Sequence, residues 1–281
     1  CAPGTHISGG VPQVNSPSAT GTAISCFNGE GVSGGVYPSL YWPSGQQFYT
    51  ASSGTSHSTP AIAGCCALVR QYFINQSLPV PSPAMTKAYL MNSARYMNGT
   101  MAGDTLPSNA QGMGEANLGM AFDGAGRVLR DQLAADKFTA SGQVRTFTGT
   151  VSDVSKPFRV TLAWTDAPGN TFGNSYNNDL DLVVTINGNT YRGNFFTTSA
   201  SATGGAADAR NNVESVFLPA GITGSFVVTV TAASINSDGV PNEAPTLDQD
   251  FALVIYNATP AAVPAIAPET AAVLTEGCAA P

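Results

Sequence analysis

The chain has 281 residues, of which 43% are hydrophobic and only 10% are charged, and its formal net charge is -7. A single hydrophobic core stops growing at about 250 to 300 residues, so this length favours two ordinary domains over one large one. The apolar content excludes a disordered chain. The acidic balance and the lack of any Lys/Arg cluster exclude a nucleic-acid partner, because phosphates must be neutralised by a basic surface.

The sequence also argues against a membrane partner. Its apolar runs are all shorter than the roughly 20 residues that a membrane helix needs, and no basic and apolar leader stands at its start. Charged residues are few, and Gly, Ser, Thr, Asn and Ala are abundant, a composition that suits extracellular bacterial proteins. We therefore expect a secreted, extracellular protein whose export signal lies upstream of Cys1.

The five cysteines are Cys1, Cys26, Cys65, Cys66 and Cys278. None of them shows the CxxC or Cys/His spacing of a structural zinc site. An odd count leaves at least one thiol unpaired. Cys65 and Cys66 fall in a predicted helix, where we expect small buried hydrophobic residues, and the sequence leaves a Cys1–Cys26 disulfide open.

The first 55 residues are rich in Gly, Ser and Pro and predict loops and short strands. The segment 60–73 is apolar almost all round, which predicts a helix buried in a large domain, and its leading proline is tolerated in the first turn. Ser82 followed by a proline predicts the start of a second helix that runs through Met97 beside the first. The glycine-marked segment 111–122 predicts a turn and a short apolar helix that close the first domain.

From about Phe138 the hydrophobic period changes from helical to two, which predicts strands with one buried face. Asn187-Gly188 predicts a hairpin, because both residues accept the positive φ of a type I′ turn. About eight strands fit, so the alternatives are a sandwich, a jelly roll or a barrel. The clearest predicted strands lie at 158–164, 180–186, 213–218, 226–231 and 251–256.

One segment contains a motif that is typical of a catalytic serine. Gly54-Thr-Ser-His-Ser-Thr-Pro-Ala-Ile-Ala-Gly64 resembles the serine signature of the subtilisin-like serine proteases, the subtilases, over all eleven residues. A turn of small residues places Ser56 at a helix start, where free N–H groups and the positive end of the helix dipole can stabilise an oxyanion. The alternative is that Ser56 or Thr59 is only a helix cap.

Two further segments favour the protease interpretation. Ala2-Pro3-Gly4 resembles the Ala-Pro-Gly that precedes the serine motif in subtilases, and the segment 111–117 (Gln-Gly-Met-Gly-Glu-Ala-Asn) resembles the one that closes their catalytic domain. The resemblance implies an α/β fold for residues 1–135, as the C-terminal part of a subtilisin-like catalytic domain. It also implies a serine endopeptidase that acts on protein or peptide substrates through an acyl-enzyme on Ser56.

The resemblance also implies that the residues around Ser56 lie next to the bound substrate and the oxyanion. These residues are Gly54, Thr55 and His57. In subtilases the triad Asp and His lie well upstream of Ala-Pro-Gly, so the resemblance implies that they come from the N-terminal part of the catalytic domain. His57 leaves the helix start in a different direction from Ser56, which favours a substrate-site or packing role over general base, and we expect His6 to be structural. We therefore predict that these 281 residues alone have no peptidase activity.

The second half resembles the jelly-roll β-barrel that follows the catalytic domain in one group of bacterial alkaline subtilases. The matching segments are 160–169, 177–184, 211–217 and 249–255. This implies an all-β jelly-roll or β-barrel domain over residues 136–258, and the Ala/Pro-rich residues 259–281 predict a linker or tail.

A group of oxygen-bearing side chains predicts calcium in that domain. Asp179 and Asp181 leave one face of a strand start while the leucines between them enter the core. The side chains of Asp166, Asn178 and Asp208 can add the hard oxygen ligands that calcium prefers, and the family's barrels bind calcium. The alternative is an acidic turn that hydrogen-bonds its own backbone.

A second function stays open at this point. The β-domain can be a non-catalytic module that binds carbohydrate or protein, attached to a remnant or dead protease-like scaffold. Aromatic side chains on one sheet face would favour carbohydrate, because sugars stack on such platforms. Tyr191, Phe195 and Phe196 are the candidates, although packing in the barrel explains them more simply.

Overall fold

The structure is a computed structural model that describes residues 1–5, 7–10, 13–14, 22–23 and 49–261. The predictions for His6, for a Cys1–Cys26 disulfide and for most of the tail 259–281 fall outside these residues. Within them the chain is mixed α/β, with mostly strands and few helices. No helix among them is long and apolar enough to cross a membrane.

The N-terminal region contains two small antiparallel sheets before its first helix. Strand β1 (Ile7–Gly10) pairs with β4 (Tyr49–Ser52), and β2 (Gln13–Val14) pairs with β3 (Thr22–Ala23). Strand β4 leads directly into helix α1 (Thr55–Asn75). The short strands therefore deliver the chain to the start of this helix.

Helix α1 confirms the predicted helix over residues 60–73, but the described residues do not bury it all round. Only Val69 and Phe73 are buried, while Leu68 is 50% and Ile74 is 48% exposed. The C-terminal half of α1 packs on the next helix, and the Phe73 ring meets the Tyr89 ring edge-on at 5.2 Å between centroids. Much of the apolar surface of α1 has no partner among the described residues.

Helix α2 (Pro83–Asn92) begins where the sequence predicts but ends five residues before Met97. Ser82 is the N-cap, and its Oγ accepts the Met85 N–H at 2.9 Å. At the other end, the Asn92 side chain donates to Thr161 Oγ1 at 3.1 Å in the β-domain. Because this contact fixes the helix end against another element, the helical period of the sequence does not continue to Met97.

Short helix α3 (Leu118–Ala121) follows, with Asn117 as its N-cap, and the chain then enters a β-domain of two antiparallel sheets. The six-stranded sheet has the order β10-β9-β8-β12-β6-β14, and the four-stranded sheet has the order β11-β7-β13-β5. The strands are β5 (Arg127–Asp131), β6 (Val144–Val151), β7 (Phe158–Ala163), β8 (Asp179–Ile186), β9 (Asn189–Thr197), β10 (Ala200–Thr203), β11 (Val213–Leu218), β12 (Ser225–Ser234), β13 (Ala252–Tyr256) and β14 (Ala258–Pro260).

The main core lies between these two sheets. Leu180 and Leu182 of β8 are buried there together with Val160 and Leu162 of β7, as their period of two predicts. The β8–β9 hairpin is confirmed, with φ of 51° at Asn187 and 74° at Gly188. The two packed sheets agree with the predicted all-β domain, and the finer jelly-roll assignment stays a prediction.

The helical region packs on the outer face of the four-stranded sheet. Ala163, Ala252 and Val254 of β7 and β13 share a second core with residues of α1 and α2, including Val69 and Met85. Strand β5 already belongs to this sheet, although it precedes the predicted boundary between residues 135 and 136. The β-domain therefore includes residues on the N-terminal side of that boundary.

Candidate active site

Ser56 is the second residue of α1, one position after the helix begins. The N-cap is Gly54, whose φ of 157° and ψ of 163° lie in a region that is essentially restricted to glycine. Gly54 has no side chain that could cap the helix, and the Thr59 hydroxyl donates to the Thr55 carbonyl at 2.9 Å. Neither Ser56 nor Thr59 therefore occupies the N-cap position.

The three segments that resemble subtilase motifs are linked to one another through residues 1–4. The Gly54 N–H donates to the Gly4 carbonyl at 2.7 Å. The Cys1 ammonium donates to the Gly114 carbonyl at 2.6 Å, and the Ala116 N–H donates back to the Cys1 carbonyl at 2.9 Å. Residues 1–4 thus join the serine turn to the segment that follows α2.

Two residues fix that third segment. The Gln111 side chain is buried, and it accepts the Met97 N–H at 2.8 Å and donates to the Met97 carbonyl at 2.9 Å. At Gly114, where φ is 118°, an added Cβ would lie 2.4 Å from the Arg95 carbonyl oxygen. Only glycine fits there, which explains the Gln-Gly-x-Gly pattern by packing.

The environment of Ser56 supports nucleophilic chemistry in part. Its side chain is exposed, and its backbone N–H lies in the first helical turn, where N–H groups lack an intrahelical acceptor. Thr55 and His57 flank it, and His57 is the only histidine in the described part of the chain. Among the described residues, no side chain accepts a hydrogen bond from Ser56 Oγ, which is the contact that a general base makes with a serine nucleophile.

Three of the five predicted calcium ligands lie together. Asp179 and Asp181 project from one face of β8, while Leu180 is buried on the other. Burial and the nearby negative charges of Asp181 and Asp208 raise the pKa of Asp179 to about 6. Burial also raises the pKa of Asp181. The Asp208 carboxylate accepts the side-chain amide of Asn194 at 2.7 Å.

The other two predicted ligands are used elsewhere. The Asp166 carboxylate accepts the backbone N–H groups of Asn177 at 2.7 Å and Asn178 at 3.0 Å. Asn178 is 2% exposed, and its Oδ1 accepts the N–H groups of Asn236 at 2.8 Å and Ser237 at 3.0 Å. The oxygens of Asp166 and Asn178 therefore stabilise loops.

Sequence reasoning missed one carboxylate, that of Glu214 on β11. It is 1% exposed, its Oε2 accepts the Leu182 N–H at 2.6 Å, and its Oε1 is buried without a partner. Burial raises the pKa of Glu214 to about 9, and the neighbouring charges of Asp181, Asp208 and Asp179 add to that rise. The available signal was a carboxylate at an inward position of a predicted strand.

These four residues, Asp179, Asp181, Asp208 and Glu214, form what we term the acidic cluster. Oδ1 of Asp179 and Oδ1 of Asp181 are also buried without a partner. Their side chains are not arranged around a common point, since within the described ranges no set of three or more His, Cys, Asp or Glu residues has metal-binding geometry. The cluster concentrates negative charge in a partly buried site.

The aromatic residues considered for carbohydrate do not form a platform. Phe196 is buried against the Phe217 ring, and Tyr191 packs against the main core. Phe195 is partly exposed, but its ring lies over Gly205, where an added Cβ would be 2.4 Å away. These contacts give the three rings packing roles.

Comparison with known proteins agrees with the motif assignment. Residues 4–114, less than half of the chain, match the model of the subtilase family, and this match supports a subtilisin-like protease scaffold. No match was found among curated proteins. A crystal structure from Sulfurospirillum deleyianum is 9% identical with a TM-score of 0.25, covering 47% of this chain and 96% of that one, a likeness too low to bear on the fold.

Proposed function

We propose that this chain carries the nucleophile of a serine endopeptidase and that Ser56 forms the acyl-enzyme. The observation that carries the proposal is that residues 1–4 link the other two family-like segments, one of which presents an exposed serine at a helix start. Ser56 Oγ attacks the peptide carbonyl, and a base takes its proton and passes it to the nitrogen of the leaving amine as the C–N bond breaks. Water then hydrolyses the acyl-enzyme and regenerates Ser56. The Ser56 N–H stabilises the oxyanion as charge develops.

The neighbours of Ser56 have distinct roles in this scheme. Gly54 lets the substrate backbone approach the turn closely, because it has no side chain. Thr55 and His57 flank the nucleophile and contact the bound peptide. His57 is not the base, because adjacent positions of a helix do not face each other.

The missing base and its orienting carboxylate belong to the N-terminal part of the catalytic domain in this proposal. The support is the uncovered apolar surface of α1. A cleft bordered by Ala2, Ile62 and Cys66 runs along the helix beside the serine turn, and Leu68 is exposed further on. Exposed apolar patches of this kind mark interaction surfaces, so the segment that covers α1 also brings the triad His and Asp.

Labelling with a fluorophosphonate tests this function on the natural full-length protein. We expect a covalent adduct that peptide mapping by mass spectrometry places on Ser56. Ser56→Ala abolishes the adduct, whereas the matched variant Ser58→Ala, two residues further along α1, retains it. An adduct on another residue, or an unlabelled but folded full-length protein, would refute the role of Ser56.

We also propose that the acidic cluster binds structural calcium, with Asp179, Asp181, Asp208 and Glu214 as ligands. Carboxylate oxygens are the ligands calcium prefers, and three oxygens of the cluster are buried without a partner, which is costly unless a cation compensates them. When bound, calcium neutralises the cluster and ties β8 to β11.

The composition supports an extracellular location for this enzyme. Few charges and abundant small polar residues suit secreted bacterial proteins, and calcium is available outside the cell. We therefore propose that the parent protein is exported and acts on extracellular proteins or peptides.

A further inference from the structure

Two of the three Asn-Gly pairs in the sequence, Asn98-Gly99 and Asn187-Gly188, lie within the described residues. Such a pair can lose ammonia, because the nitrogen of the glycine attacks the carboxamide carbon of the asparagine and closes a five-membered ring. Glycine favours this attack, since it has no Cβ to hinder the approach and its backbone rotates freely. All four residues are exposed, so exposure does not distinguish the two pairs.

The backbone around Asn98-Gly99 is held by few hydrogen bonds. The pair opens an exposed turn after α2, in which the Ala102 N–H donates to the Gly99 carbonyl at 3.0 Å. Within the described ranges, the N–H groups of residues 98–101 have no acceptor, and their other carbonyls accept no hydrogen bond. The peptide that joins Asn98 to Gly99 can therefore rotate at the cost of one backbone hydrogen bond.

The backbone around Asn187-Gly188 is held more firmly. This pair forms the two-residue turn of the β8–β9 hairpin, with φ of 51° and 74°, and Ile186 and Asn189 pair on either side of it. The peptide between Asn187 and Gly188 must rotate before its nitrogen can reach the carboxamide, and this rotation breaks the last pair of the ladder. Because the pairing continues along both strands, the hairpin resists the rotation.

We propose that Asn98 is a site of spontaneous deamidation in the folded protein, with water as the only co-reactant, and that the hairpin protects Asn187. The Gly99 nitrogen forms a bond to Cγ of Asn98, and the carboxamide C–N bond breaks to release ammonia. The proton lost by the Gly99 nitrogen balances the proton gained by the leaving NH₂ group. Water then opens the succinimide at either carbonyl, so position 98 becomes aspartate or isoaspartate.

The modified position lies inside a loop that a family-like segment holds closed. The Gln111 side chain bonds to both the N–H and the carbonyl of Met97, and it also donates to the carbonyl of Ala102. Isoaspartate adds one CH₂ to the backbone between these two anchor residues. The longer loop strains the bonds of Gln111, so deamidation of Asn98 loosens this contact. The inference does not depend on the chemistry of Ser56.

Peptide mapping of the 281-residue chain by mass spectrometry, after storage in mildly alkaline buffer, tests the proposal. We expect the Asn98 peptide to convert to products heavier by one mass unit. It should convert at least about fivefold faster than the Asn187 peptide, as suits the loss of one or more extra hydrogen bonds in the hairpin. In guanidinium chloride, which unfolds the hairpin, the two rates should become similar.

The matched control is Gly99→Ala, which keeps Asn98 but adds a methyl group beside the attacking nitrogen. It fits the fold, because an added Cβ at Gly99 meets no described atom within 4 Å, and it should slow the conversion severalfold. Folded-state conversion of Asn98 that is no faster than that of Asn187, or that Gly99→Ala leaves unchanged, would overturn the site.

Thermal unfolding tests the effect on the Gln111 contact. Storage should lower the melting temperature of the wild type as isoaspartate accumulates, whereas Gly99→Ala should keep its initial value over the same period. An unchanged melting temperature in a fully converted sample would overturn the loosening of this contact.

Discussion

The backbone N–H of Gly54 donates to the carbonyl of Gly4 at 2.7 Å, which joins two family-like segments 50 positions apart. This bond fixes the extended turn that places Ser56 at the start of α1. The same close approach leaves no room for a side chain at Gly4, because an added Cβ would lie 2.9 Å from the Gly54 carbonyl oxygen and 2.3 Å from Ser58 Oγ. The serine turn thus depends on Gly4.

Gly4→Ala should therefore displace the serine turn and destabilise the protein. We expect a loss of about 1 to 3 kcal/mol, as for other substitutions that overfill a packed site, together with weaker labelling of Ser56 in the full-length protein. Denaturant unfolding measures the first effect. Gly9→Ala is the control, because an added Cβ there meets no described atom within 4 Å; equal effects of the two variants would contradict the packing argument.

Removal of calcium should lower the melting temperature of the chain. A ligand present at about 100 times its dissociation constant contributes about 2.7 kcal/mol, which corresponds to a shift of about 5 °C or more in a domain of this size. Differential scanning calorimetry in EDTA and in excess calcium measures the difference. Asp181→Asn should remove most of it.

Asp153→Asn serves as the control for that experiment, because Asp153 lies outside the acidic cluster and caps an exposed turn through Ser155. It should leave the calcium-dependent shift unchanged. An identical melting curve in EDTA and in calcium, with no calcium found by metal analysis, would refute the site.

The carboxylate of Asp123, which lies outside the acidic cluster, should make the folding stability depend on pH. Tyr256 Oη donates to Asp123 Oδ2 at 2.7 Å and Lys156 Nζ lies 2.9 Å from the same oxygen. Burial acts to raise the pKa of Asp123, but these bonds and the charge of Arg127 lower it to about 2. A depressed folded-state pKa contributes stability above the unfolded value of about 3.9, and this stability is lost as the pH falls towards 2.

Asp123→Asn should therefore cost about 1 kcal/mol at neutral pH, a value reduced for solvent screening. The difference between wild type and variant should shrink as the pH falls from about 4 to 2. Urea unfolding at several pH values measures it. A difference that stays constant down to pH 2 would mean that packing, not charge, is responsible.

The sequence predicted the elements whose pattern is local, and it missed those that depend on distant contacts. The Ser82 cap and the Asn187-Gly188 hairpin are set by residues adjacent in the chain, and both are confirmed. The end of α2 is set by Asn92 reaching into the β-domain, and β5 forms by pairing with β13, more than 100 positions away. The hydrophobic periodicity of a single segment carries no information about either of these long-range contacts.

In the candidate site, too, the sequence predicted the features that are set locally and missed those that depend on distant contacts. The position of Ser56 at a helix start follows from its own segment. Prediction of the acidic cluster required two tertiary contacts to be known. Strand β11 places Glu214 beside Asp181, and the side-chain oxygen of Asn178 accepts hydrogen bonds from two distant N–H groups. Such placements arise from sheet packing, so residue type alone could not separate the four cluster members from Asp166 and Asn178.

The most direct test is turnover of a chromogenic peptide by the purified 281-residue chain, compared with its Ser56→Ala variant. Because no described side chain accepts a hydrogen bond from Ser56 Oγ, we predict that the two show the same background rate, while the full-length protein hydrolyses the peptide in a reaction that Ser56→Ala abolishes. Appreciable hydrolysis by the 281-residue chain that disappears in Ser56→Ala would contradict this account.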